Sequence, residues 1–127
     1  MTAKTILWVE DDADLVAGIK PLMEREGWTV HWAASASEGK EKSRAVRPDL
    51  IVMDVIMAGQ HGFSATEDLK SRDDLDGVPV IIYSSVTDRW GETTASRHDG
   101  MLSSAEEFVD KANGPSLLLK TIRKYLS

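Results

Sequence analysis

Several side chains in this sequence have types suited to charge-assisted chemistry, and each stands where an apolar run ends. Thr5-Ile6-Leu7-Trp8-Val9 runs into Glu10-Asp11-Asp12, and Leu50-Ile51-Val52-Met53 runs into Asp54. Val78-Pro79-Val80-Ile81-Ile82-Tyr83 ends at Ser84-Ser85, and Glu107-Phe108-Val109-Asp110 ends at Lys111. Taken alone, Asp54 reads three ways: a nucleophile, a metal ligand or a turn residue closing a strand. If the runs are neighbouring strands, the groups share one edge of a sheet. Two or three carboxylates around one point make an oxygen site suited to Mg²⁺, which takes a few acids and keeps several waters. An acid beside such an ion stays ionised and can attack phosphorus. A lysine and a hydroxyl opposite would neutralise and orient the remaining phosphoryl oxygens, since that transfer is mostly positioning and charge stabilisation. Each group singly has an ordinary explanation as a solvated strand-end or loop residue; five coinciding do not.

The elements that must position these groups follow from the apolar pattern. Short unbroken runs bounded by turn residues are strands covered on both faces, as in a parallel sheet. Leu15, Val16, Ile19, Leu22 and Met23 form one helical face, with Pro21 expected to bend the helix and Gly27 to end it. Asp12 or Asp14 is suited to its N-terminus. Trp28–Ala33 is rich in strand formers, and Ser35-Ala36-Ser37-Glu38 has capping-box spacing for a helix to about Val46 whose apolar face is weak. A third helix is predicted from Gly62 or Phe63 to Ser71, with Phe63, Thr66 and Leu69 inward, and Asp73–Gly77 as the turn after it. Gly114-Pro115 opens the last helix, with Leu117, Leu118, Leu119, Ile122 and Leu126 as its inner face. Alternation of this kind gives an α/β fold with a parallel sheet and helices on both faces. Thr87–Ser104, lacking helical periodicity, reads as an irregular loop with at most a short helix.

Composition narrows the classes. The 127 residues, 42% apolar and 28% charged, suit one globular domain over 1–127. No run of apolar residues is long enough to span a membrane and no basic-then-apolar leader opens the chain, so a cytoplasmic protein is expected, with no membrane association. Without cysteine there is neither disulfide nor thiolate chemistry. A formal charge of −6 argues against nucleic acid as a partner of this chain. Three adjacent acids at 10–12 are expected at an exposed strand end, because burying like charges is costly without a compensating cation.

With these residues assembled, the chain resembles a two-component response-regulator receiver domain of the CheY-like superfamily along nearly its whole length. The resemblance rests on Ile6–Asp12, Pro48–Asp54, Met57 with Gly62, Val78–Ser85 and Phe108-Val109-Asp110-Lys111. It implies a flavodoxin-like, doubly wound five-stranded parallel sheet of order 2-1-3-4-5. It further implies that Asp54 accepts a phosphoryl group from a histidine kinase or phosphotransfer protein, and that Glu10, Asp11, Asp54 and the Ile56 backbone carbonyl hold Mg²⁺. Ser84 and Lys111 would contact the phosphoryl group, and Phe108 would be an aromatic switch that swings inward as Ser84 moves. The expected output is a signal to a separate effector protein; the chain is not a turnover enzyme, beyond slow self-dephosphorylation. The alternative is a pseudo-receiver, a binding module of the same fold that works without phosphate.

Departures from the family pattern are Ala58 for the usual proline after Met57, His61 for a frequent acid, and Ala112 for the proline after Lys111. That proline is commonly cis; before alanine a cis bond is far costlier, so a trans junction is expected. In the long stretch between Ser85 and Phe108, Asp99-Gly100-Met101-Leu102 running to Ala105-Glu106-Glu107-Phe108 resembles a receiver subgroup whose fourth helix is short or replaced by a loop. Trp90 reads as packing its own loop or as an anchor for a partner, the packing role being favoured; Trp8, Trp28 and Trp32 read as packing around the first two strands. His31, His61 and His98 lack metal-ligand spacing and read as surface residues. An aspartyl phosphatase of the haloacid dehalogenase type would need a second aspartate where Ile56 stands, and a flavin binder would need a Ser, Thr or Gly-rich loop where Glu10-Asp11-Asp12 stands.

Overall fold

The computed structural model describes residues 3–57, 60–85 and 105–126, with side chains described outside 56–64. Five strands build the main sheet: β1 (Thr5–Val9), β2 (Thr29–Ala33), β3 (Leu50–Met53), β4 (Val80–Ser84) and β5 (Glu107–Asp110). All neighbouring pairs are parallel, in the order β2-β1-β3-β4-β5. Helices α1 (Ala13–Arg25), α2 (Ala36–Val46), α3 (Gly62–Lys70) and α4 (Pro115–Leu126) cover it. A two-residue antiparallel pair, Ile56–Met57 with Gln60–His61, follows β3.

Why the strands read as unbroken apolar runs is plain from where alternate residues go. Ile6, Trp8, Leu50, Val52, Ile81, Tyr83 and Val109 pack with Val16, Ile19 and Met23 of α1 and Leu118, Leu119 and Ile122 of α4. Leu7, Val9, Ile51, Met53, Val80 and Ile82 face the other way, onto Ala36 of α2 and Ala65 and Leu69 of α3. Both faces are dry, so neither parity of the strand sequence needs polar residues. Among the described residues the buried indole N–H of Trp8 has no hydrogen-bond partner.

The weak apolar face of α2 has a packing reason: it buries Ala36, Gly39 and Ser43, all small. An added methyl at Gly39 would lie 2.6 Å from Val9 Cγ2, so the glycine lets α2 approach β1 closely. Ser35 caps α2 by accepting from the Glu38 N–H at 3.1 Å, while Glu38 reaches back to the Ala34 N–H. Asp12 caps α1, accepting from the N–H groups of Asp14 and Leu15. Helix α1 runs through Pro21, and Gly27 follows it at φ 98.

Two expectations are corrected. Leu117 is not part of the inner face of α4: it is 39% exposed, while Leu118, Leu119 and Ile122 are buried. Helix rotation explains this, since residues 118, 119 and 122 share one stripe at i, i+1 and i+4, and 117 falls one step off it. The second correction concerns Glu10, taken up below. The readings on Phe63 as an inward residue, on 87–104 with Trp90, on Ala58, and on the side chains of His61 and His98 lie outside the described residues. Among the described residues no helix is long and apolar enough to cross a membrane.

Candidate functional site at the carboxyl edge of the sheet

Parallel strands in this order bring the carboxyl ends of β1, β3, β4 and β5 side by side, at the crevice where open α/β sheets carry their sites. Asp54, the residue after β3, is fixed by its own N–H, which donates to the Val9 carbonyl at 3.0 Å. Asp54 is 2% exposed. Ser84, at the end of β4 and fully buried, donates its hydroxyl to Asp54 Oδ1 at 2.7 Å. Lys111, directly after β5, donates its ammonium to Asp54 Oδ2 at 3.0 Å. Each carboxylate oxygen of Asp54 thus has its own donor.

Glu10 completes the cluster from β1. The same Lys111 Nζ lies 3.0 Å from Glu10 Oε1, and Glu10 Oε2 accepts from the Asp12 N–H at 3.1 Å. Contrary to the expectation of an exposed end, Glu10 is 0% exposed. The compensating cation that burial demands is Lys111, a residue 101 positions away that only the fold brings near. Asp11 is exposed, as expected, and Asp12 is taken up by the helix cap. Two contacts that the residue types did not announce hold the backbone of Glu10: its N–H donates to the Ala33 carbonyl, and the Trp32 indole donates to the Glu10 carbonyl at 2.7 Å. Trp32 therefore does more than pack; its polar N–H was the available signal.

The electrostatics are unbalanced. Burial pushes the Glu10 carboxyl up to about 7, with the nearby Asp54 charge adding to the rise and Lys111 opposing it. Burial pulls the Lys111 ammonium down, yet its contacts with Glu10 and Asp54 prevail and the net shift is upward. Among the described residues one cation, Lys111, faces two buried acids, with Asp11 at the rim. Oxygens of Glu10, Asp11 and Asp54 all lie within 4.8 Å of one another. Lys111 is the charge that faces buried Glu10 Oε1, at 3.0 Å, and among the described residues that oxygen has no other donor. Three hard oxygen ligands, two of them from buried residues, fit a divalent cation of the Mg²⁺ class.

Two further predicted site residues lie on neighbouring elements. Ile56 lies two residues beyond Asp54, in the short pair after β3. Phe108 is half-buried on β5, opposite Ile82 and packed against the α2–α3 side of the core. The Lys111–Ala112 junction is trans, as expected, with no cis bond among the described residues.

Comparison with known proteins gives a consistent set of likenesses. The sequence pattern of the response regulator receiver domain matches residues 6–123. Protein PilH of Pseudomonas aeruginosa is 31% identical over 126 residues, covering 96% of this chain and 97% of that protein. The transcriptional regulatory protein YvrH of Bacillus subtilis is also 31% identical, over 99% of this chain, which spans only 50% of YvrH. Among solved structures, chemotaxis protein CheY4 of Vibrio cholerae superposes with a TM-score of 0.83 at 22% identity, over 98% of this chain and 99% of that one. The response regulator TrrA of Thermotoga maritima, solved with Mg²⁺ and beryllium fluoride, gives 0.79 at 21% identity over 96% and 98%.

Proposed function

Since this chain belongs to the response-regulator receiver family, we propose that it is a phospho-acceptor switch in a two-component or phosphorelay pathway, phosphorylated on Asp54. The observation that carries the reading is the pair of donors on Asp54: the Ser84 hydroxyl on one carboxylate oxygen and the Lys111 ammonium on the other. An Asp54 oxygen attacks the phosphorus of a phosphohistidine on a histidine kinase or phosphotransfer protein. The P–N bond breaks, its electron pair returns to the imidazole, and an acyl phosphate forms on Asp54. Lys111 and Ser84, already within reach, then donate to the phosphoryl oxygens and offset the charge brought in.

Glu10, Asp11, Asp54 and the Ile56 carbonyl would hold Mg²⁺, whose chemistry there is to neutralise charge on the transferring group. Ser84 leaves Asp54 for the phosphoryl group, and Phe108, on the neighbouring strand and only half-buried, turns inward behind it. A separate effector protein reads the change. The acyl phosphate is lost slowly to water; turnover of a substrate is not the role. A cytoplasmic setting is part of the same reading.

The test is the intact mass after incubation with acetyl phosphate, with and without Mg²⁺, beside Asp54→Asn. A gain of one phosphoryl group that requires both Mg²⁺ and Asp54 supports the switch. No gain where Mg²⁺ demonstrably binds overturns it in favour of a phosphate-independent binding module.

A further inference from the structure

We propose that Asp110 is a positioning residue for Lys111, doing through a side-chain cap what proline after the lysine does elsewhere in the family; this rests on the phospho-acceptor reading above. Lys111 must deliver one ammonium to Asp54 and Glu10 together, at 3.0 Å from each. Its backbone begins the short 3-10 turn Lys111–Asn113, straight after β5. Asp110 is still extended, at φ −78 and ψ 127, and paired opposite Ser84 in the sheet. Its Oδ1 accepts from the Ala112 N–H at 2.9 Å. On the far side, the Gly114 N–H donates to the Lys111 carbonyl at 3.1 Å, with Gly114 at φ 82. The lysine's backbone is therefore fixed from before and after.

Ala112 is what permits this arrangement, because proline at that position would have no N–H to offer Asp110. The departure at residue 112 and the acid at residue 110 are thus one device. A small rotation at the Lys111 Cα is magnified along its four-carbon stem, so loss of the cap moves Nζ away from the attacking carboxylate.

The experiment measures the rate of Mg²⁺-dependent phosphorylation by acetyl phosphate, as intact mass, in wild type, Asp110→Ala, Asp110→Asn, Lys111→Ala and the double variant D110A/K111A. Melting temperature and hydrogen exchange at the Ala112 amide are followed alongside. Asp110→Ala should slow phosphorylation about tenfold, the size of effect expected of a displaced catalytic group. Asp110→Asn, whose amide oxygen caps equally well, should stay within about twofold of wild type. In the Lys111→Ala background the loss of Asp110 should change nothing further. Exchange at Ala112 should rise about tenfold in Asp110→Ala and stay put in Asp110→Asn. Wild-type rates in Asp110→Ala, equal slowing with and without Lys111, Asp110→Asn as slow as Asp110→Ala, or unchanged exchange would each overturn the inference. A wild type that takes no phosphoryl group at all would instead overturn the phospho-acceptor reading, and this one with it.

Discussion

The two ends of the β-sheet both carry a lysine and a carboxylate, and they use them in opposite ways. At the amino end, Glu106 directs one oxygen to Lys70 and the other to the Val80 N–H, while its own N–H donates to the Val80 carbonyl. Both charges there are partly solvated, at 25% and 32% exposure of the side chains. At the carboxyl end one lysine serves two buried acids, and among the described residues it is the one cation within reach of Glu10 Oε1. The first arrangement is saturated and only fastens strands. Among the described residues the second has one cation for two buried acids, which costs stability; on the proposed reading a cation and an incoming anion would bind there. An imbalance of that kind marks a site; a balanced pair does not.

The sharpest way to break the contrast is Lys111→Met, which strips the carboxyl end of its cation. Above pH 7 it should lower unfolding stability by about 3–5 kcal/mol, as expected when a buried pair loses one partner, and abolish most phosphorylation. Near pH 4, where Glu10 is protonated, the loss should shrink, as denaturant melts at the two pH values would show.

Glu10→Gln tests the imbalance from the other side. The folded carboxyl titrates at about 7 and the ordinary value is 4.5, so the native state holds the extra proton between these values. Its contribution is therefore most favourable below 4.5 and is lost as pH rises through 7. Without divalent cations, Glu10→Gln should be more stable than wild type by about 3 kcal/mol at pH 8 and equal to it at pH 4, because each tenfold change in proton affinity is worth about 1.4 kcal/mol. Equal stability at both would remove the charge shortage from the account.

At the amino end the effects should be smaller and should not reach the chemistry. Glu106→Ala leaves the Val80 N–H without its acceptor and should cost about 1–2 kcal/mol, with phosphorylation unchanged. Lys70→Met removes only the partly solvated partner and should cost under about 1 kcal/mol. A phosphorylation defect in either variant would mean that the two ends are coupled.

Much of this was legible in the residues. Unbroken runs such as Leu50–Met53 announced strands dry on both faces, and their terminal groups announced a common edge. What the sequence could not carry was anything set by distance in space. The burial of Glu10 depends on Lys111, far along the chain, and without that cation three adjacent acids are rightly expected in water. The face of α2 looked weak because its packing uses small residues, with Gly39 against Val9 invisible to an apolar count. Leu117 sits in a three-leucine run whose rotation only the packed helix settles. The cap by Asp110 had a signal in the missing proline at 112, but its meaning needed the turn geometry.

The most direct test of the central claim is calorimetric titration of Mg²⁺ at pH 7 into wild type, Glu10→Gln, Asp54→Asn and Glu106→Ala, in buffers of different ionisation enthalpy. Wild type should bind with release of protons from Glu10. The two carboxyl-edge variants should bind more weakly, Glu10→Gln without proton release, and Glu106→Ala should match wild type. Absence of binding in wild type, or binding undiminished in both carboxyl-edge variants, would contradict the account.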